Sequence, residues 1–180
     1  TLPIRVRVAD EHNASIEKIL FVTVLDQSQS ITNFISDLNA TYGDLSHELN
    51  TSSTSGLPVQ YVSSNPSVAE VEANGTVIFK LAGQATITAF QDGGGVTDAA
   101  PELNATVTVH TKELEVIADH KSKTYLEPIP ELTLHYEGFV NGDNIAVLDE
   151  LPAIEANATE ASPAGVYAIT VSGGSAANYH

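Results

Sequence analysis

The chain has 180 residues, room for one medium domain or for small modules in series. Against 7 Lys+Arg it carries 23 Asp+Glu, a formal net charge of −16, which repels phosphate backbones and anionic membrane surfaces and so excludes nucleic acid as a partner, while supplying the hard oxygen ligands that suit calcium. It has no Cys, so neither disulfides nor thiol chemistry are available, and no apolar stretch approaches the ~18 residues that membrane insertion needs.

Period-two alternation dominates the chain in order. Ile4, Val6 and Val8 alternate with Arg5 and Arg7, and an apolar run from Ile19 to Leu25 follows. Further along, Ala105, Val107 and Val109 alternate with Thr106 and Thr108, Leu132 and Leu134 with Thr133 and His135, and Ile169 and Val171 with Thr170 and Ser172. Val, Ile, Thr and Tyr in this pattern predict strands. Two stretches, Thr32 to Leu38 and Asp143 to Leu148, have the composition for a turn or two of helix, the second capped by Gly142-Asp143. Turn signals recur at Asn13-Ala14, Gly56-Leu57-Pro58, Asn65-Pro66, Asn74-Gly75, Gly93-Gly94-Gly95, Asn141-Gly142 and Gly173-Gly174. Asn74-Gly75, between Val71 and Val77, predicts a two-residue hairpin turn. The fold class expected is all-β: tandem small modules, elongated, each with a thin core.

Three segments separate: 1–30, hairpin-sized; 31–112, a full module; and 113–180, another. The two larger ones echo each other. Thr41-Tyr42-Gly43-Asp44 is matched by Thr124-Tyr125-Leu126-Glu127, and Gly83 to Thr88 by Gly165 to Thr170, at separations of 83 and 82 residues. Two matches in register point to one ancestral unit.

These motifs carry resemblances. Ala118 to Tyr125, Gly138 to Asp143, Ser162 to Gly174 and Ala177-Asn178-Tyr179 resemble an MBG domain of the Tyr-Gly-x type, departing from it at Leu126, where that family has Gly. Gly56 to Tyr61, Ser63 to Ala69, Gly75-Thr76-Val77 and Gly83 to Ala89 resemble a bacterial Ig-like domain of group 2. Ile4 to His12 and Phe21 to Asp26 resemble the last hairpin of a cadherin-like repeat. The resemblances imply an Ig-like sandwich for the middle segment and a small, β-grasp-like or related module for the last, closing with strands beyond those present. The absence of Met and of a leader is what an internal segment of a longer exported chain is expected to show.

No nucleophile elbow, zinc-binding His-Glu-x-x-His, dinucleotide fingerprint or phosphate loop occurs, so no catalytic residues and no enzyme are expected. His12, His47, His110, His120, His135 and His180 are spread without ligand spacing and are expected on exposed strands or loops. Asp10, Glu11 and Asp26 are the candidate metal ligands: the cadherin-like resemblance implies calcium at a joint between modules, against the plainer reading of surface carboxylates. Gln91 to Asp98 reads either as a second ion loop or as a flexible hairpin loop. Asn13, Asn39, Asn50, Asn74, Asn104 and Asn157 begin Asn-x-Ser/Thr triplets, but the bacterial character of the modules argues against glycans there. The six tyrosines are either ligand platforms or packing residues. The function implied is a non-catalytic stalk or spacer of a secreted cell-surface adhesin, whose partners are the neighbouring modules of the same chain. The rivals are an adhesive module binding glycan or host protein and an accessory region of an exported hydrolase. The apolar, β-prone first hairpin is expected to pair with an open module edge, within the chain or in a dimer.

Overall fold

The computed structural model describes residues 2–12, 15–23, 25 and 27–180. Alternation becomes strand almost everywhere. Strands β1 (Leu2–Ala9) and β2 (Ser15–Val22) form the expected first hairpin in unbroken register from Leu2↔Val22 to Ala9↔Ser15. The second strand starts six residues before the Phe21 at which the cadherin-like pattern places it. Val8, Ile16 and Phe21 are all more than two-thirds exposed. Among the described residues neither strand pairs with a module edge.

The middle of the chain is a two-sheet sandwich. In chain order its strands are β3 (Ile31–Thr32), β4 (Asp37–Thr41), β5 (His47–Glu48), β6 (Ser52–Ser53), β7 (Gln60–Ser63), β8 (Ala69–Val71), β9 (Thr76–Phe79), β10 (Gly83–Gln91) and β11 (Ala100–His110). One sheet has the order β4-β11-β10-β7, with β4 parallel to β11 from Asp37↔Thr106 to Thr41↔His110. The facing layer holds β5-β9-β8 and the short β3-β6 pair. Ile87, Val77, Val107, Ala69 and Ala105 are wholly shielded between the layers, so the alternation seen at 105–109 reports a true inside and outside.

Two local expectations are corrected here. Thr32 to Leu38 is not helical. Asn33 sits at φ 60 and ends β3, after which the chain crosses to the other sheet as β4, sending Phe34 and Ile35 into the core. Thr, Asn, Ser, Asp and a β-branched Ile give little helix propensity to oppose that burial. Asn74-Gly75 does turn the β8–β9 hairpin, but only Gly75 is left-handed (φ 88), and the turn closes through Gly75 N–H to the Glu72 carbonyl. A type I′ turn needs both central residues at positive φ. Here Asn74 instead accepts the Thr76 N–H with its side chain, 2.9 Å.

The last third carries β12 (Glu115–Ala118), β13 (Leu134–Glu137), β14 (Ala153–Ala156) and β15 (Ile169–Ser172), in the antiparallel pairs β12-β13 and β14-β15. The expected helix at 143–148 shrinks to a single 3₁₀ turn, Ile145–Val147, and its cap is Asn144 rather than Gly142-Asp143. From Glu113 onward the only buried residue is Tyr179. This part of the chain therefore owes its anchoring to what Tyr179 touches.

Candidate functional site

Tyr179 touches the sandwich. Its ring meets Tyr42 edge-on at 5.5 Å and Phe139 edge-on at 5.3 Å, and Phe139 in turn lies 5.8 Å from Tyr136. Aromatic edges placed on aromatic faces stabilise beyond area alone, by roughly 0.5–1.5 kcal/mol a pair. Tyr42 and Tyr179 are 7% and 5% exposed, and both belong to one continuous core cluster with Val77, Ile87, Val107 and Val109 of the sandwich. Leu114, Phe139 and Val140 pack on the same cluster. Hence one apolar core runs through both halves of the molecule.

Polar groups lock the contact. Both tyrosine hydroxyls donate to Asp143 Oδ2, Tyr42 at 3.0 Å and Tyr179 at 2.6 Å, and the Tyr179 hydroxyl accepts the Val140 N–H at 3.1 Å. Hydrogen bonds to a carboxylate are about twice as strong as neutral ones. Burial, and then the bond to Asp143, push the Tyr179 hydroxyl up from 10.0 to about 12. Asn178 Oδ1 accepts the Ala82 N–H at 2.9 Å. Asn178 and His180 also pair in parallel with Lys112 and Leu114: Lys112 N–H to the Asn178 carbonyl (2.9 Å), His180 N–H to the Lys112 carbonyl (3.0 Å) and Leu114 N–H to the His180 carbonyl (3.0 Å). The backbone at Gly43 (φ 93) lies so close to Val140 that a Cβ there would stand 2.6 Å from Val140 Cγ2.

A second set of bonds fixes the segment ahead of the sandwich. Gln29 and Gln91 are buried and bonded to each other; Gln29 also takes the Ser55 hydroxyl and donates to the Asp98 carbonyl at 2.6 Å. Gln27 N–H reaches the Val96 carbonyl, and Asp98 N–H the Gln27 carbonyl. The loop from Gln91 to Asp98 thus holds the incoming chain, with Gln91 Oε1 also accepting the Gly93 N–H at 2.7 Å.

Asp10 and Glu11 lie exposed in the turn of the first hairpin, where Asp10 accepts the His12 N–H at 3.0 Å, and Asp26 lies outside the described residues. Among the described residues no group of three or more His, Asp or Glu is placed to hold a metal. All six histidines are exposed. His135 pairs with Asp119 at 2.8 Å, and the Thr133 hydroxyl bonds the same carboxylate; these two bonds, Thr133's first, hold Asp119 below its usual value. Tyr42, Tyr61, Tyr136 and Tyr179 are packing residues, whereas Tyr125 is 59% exposed and Tyr167 39%.

Residues 42–101 match the family model for the bacterial Ig-like domain (group 2), and residues 114–180 match the model for the MBG domain (YGX type). The middle of the chain is thus similar to an Ig-like module and its last third to an MBG module. No curated protein matches it. Both module families are non-catalytic and typical of bacterial surface proteins. Among the described residues no helix is long and apolar enough to cross a membrane. The contact described above is therefore the joint between an Ig-like and an MBG module, and its decisive members, Tyr42, Asp143 and Tyr179, were not singled out as partners by the sequence. The signals available were Tyr42 in the repeated Thr-Tyr-x-acid segment, and Asp143 and Tyr179 in the motifs Gly138 to Asp143 and Ala177-Asn178-Tyr179.

Proposed function

We propose that this chain is a spacer of a bacterial cell-surface protein, working as one stiff unit because the Ig-like and MBG modules share a core. The observation that carries this is the joint: two buried tyrosines from different modules donating to one carboxylate, Asp143. A flexible tether would leave solvated polar linkers between modules. Here the connection at Lys112 to Leu114 is itself hydrogen-bonded to the last residues of the MBG module. In a chain of such units the stability of each module includes a nearest-neighbour term. An extracellular address follows from this role, and the acidic surface keeps the segment soluble.

One observation favours an adhesive role instead: Tyr125 and Tyr167 are exposed beside an open groove of the MBG module. A glycan array probed with the whole chain, with and without calcium, separates the two. A spacer gives no saturable binding in either condition, and specific saturable binding would replace the spacer reading with an adhesive one. A calcium-dependent rise in melting temperature in the same samples tests the proposed Asp10, Glu11 and Asp26 site; no rise refutes it.

A further inference from the structure

Two Asn-Gly pairs occur in the chain, and the fold holds them differently. At Asn74-Gly75 every group that could react is engaged. The Asn74 side chain accepts the Thr76 N–H at 2.9 Å, the Gly75 N–H closes the turn on the Glu72 carbonyl at 2.9 Å, and the Glu72 N–H pins the turn to the Thr76 carbonyl at 2.8 Å. Gly75 is buried, with the Tyr61 ring 3.2 Å from where its Cβ would stand. The paired strands β8 and β9 flank the turn on both sides.

Asn141-Gly142 has none of this. Both residues are exposed and both are at positive φ, 56 and 80. The turn is closed from outside the pair, by the Asp143 N–H on the Val140 carbonyl at 2.9 Å. This is the type I′ pattern that Asn74-Gly75 lacks. Among the described residues nothing bonds the Asn141 amide or the Gly142 N–H. No atom lies within 4 Å of where a Gly142 Cβ would stand, so the Gly142 nitrogen is open to approach. Glycine also leaves the backbone free to turn that nitrogen towards the preceding side chain. The two residues that close the turn belong to the joint. The Val140 N–H donates to the Tyr179 hydroxyl, and Asp143 accepts from Tyr42 and Tyr179.

We propose that Asn141-Gly142 is a self-modifying site, at which reaction with water turns Asn141 into isoaspartate and the lengthened turn draws Asp143 away from Tyr42 and Tyr179. The Gly142 nitrogen attacks the Asn141 side-chain carbonyl carbon. A C–N bond forms to close a succinimide, the amide C–N bond breaks, and the proton of the Gly142 nitrogen departs with the amide group as ammonia. Water then adds to the backbone carbonyl of the ring and breaks its bond to the Gly142 nitrogen. The main chain now runs through the former side chain, one atom longer, and a new carboxylate stands two residues before Asp143. The extra atom breaks the fit of a turn closed by a single bond, and the new charge repels the Asp143 carboxylate. The joint therefore loosens as the molecule ages. The site needs only the joint and stands whether or not the chain serves as a spacer.

The whole chain is aged in warm, mildly alkaline buffer and sampled over time. Fragment-ion mass spectrometry reads deamidation at each asparagine, and separation of isoaspartyl peptides reads the product. Amide exchange is followed at Ala82 and Lys112, whose N–H groups bond Asn178 across the joint. Asn141 is expected to deamidate about ten-fold faster than Asn74, the scale of the two further bonds that the Asn74 turn must break. Isoaspartate is expected as the main product, with exchange at Ala82 and Lys112 about ten-fold faster in the aged chain, the scale of one lost bond to a charged group. Asn141→Gly accepts the same positive φ, has no amide to lose, and is expected to age with neither change. Equal deamidation at the two pairs, or none at Asn141, overturns the site. Isoaspartate at position 141 with exchange unchanged overturns its effect on the joint. Exchange that rises equally in aged Asn141→Gly assigns the loosening to other damage and overturns that effect as well.

Discussion

Removing one oxygen from Tyr179 tests the joint most sharply. Tyr179→Phe keeps the ring and its edge contacts with Tyr42 and Phe139. It deletes a 2.6 Å bond to the Asp143 carboxylate and takes from the Val140 N–H its acceptor at 3.1 Å. A bond to a charged group contributes about 1.5–3 kcal/mol, and Asp143 keeps its second donor in Tyr42. The expected loss is about 2 kcal/mol, a fall of roughly 4–8 °C in melting temperature for a chain of this size, read by circular dichroism. The same substitution has a signature in pH. The native hydroxyl titrates at about 12 against 10.0 in the unfolded chain. The stability tied to this shift is therefore complete below pH 10 and is lost as pH rises through about 12. At about 1.4 kcal/mol per unit, the wild type sheds roughly 2–3 kcal/mol across that window. Tyr179→Phe has no such group, so its stability falls less there and the two proteins converge in strong alkali. A melting temperature within about 1 °C of wild type at neutral pH, or an equal alkaline loss in both proteins, would show that the Tyr179 hydroxyl does not hold the joint.

Three further expectations follow from named positions. Gly43→Ala must hold a left-handed backbone and push Val140 away from a 2.6 Å approach; it is expected to lower stability by about 2–3 kcal/mol, and Val140→Ala in the same chain restores part of that loss in chemical denaturation, an effect a purely local backbone cost would not give. Leu126→Gly is expected to raise stability by about 0.5–1 kcal/mol, because Leu126 holds φ 68 while 64% exposed and so contributes little burial in return; an unchanged denaturation midpoint would contradict this. Gln29→Ala leaves Gln91 buried without its amide partner, which is expected to cost about 1–3 kcal/mol and to speed amide exchange at Gln27 and Asp98; unchanged exchange at both would show that the incoming chain is held some other way.

Strands were legible in this sequence because alternation is a local signal and burial follows it, as at Ala105, Val107 and Val109. At Val6 and Val8 the same signal predicted a strand correctly but said nothing of whether its apolar face is covered. Turn chemistry was legible at Gly75, though not which residue of Asn74-Gly75 takes positive φ. The crossing of Ile31 to Thr41 between sheets was not legible, since the burial of Phe34 and Ile35 depends on partners far along the chain. The joint was hidden for the same reason. Tyr42 and Tyr179 meet across most of the sequence, and Asp143, which suited a helix cap locally, is recruited by their hydroxyls, leaving Asn144 to cap the turn. Gln29 was passed over because a glutamine in a polar linker resembles every other solvated glutamine until its burial is known.

Through their shared core the two modules are expected to move as one body. Backbone nitrogen-15 relaxation across residues 31–180 measures this directly, since each module's amides report the tumbling of the body they belong to. One rotational diffusion tensor is expected for 31–112 and 113–180 together, with separate tensors appearing in Gly43→Ala, whose added Cβ would press on Val140 at the joint. Two independent correlation times in the wild-type chain would contradict it.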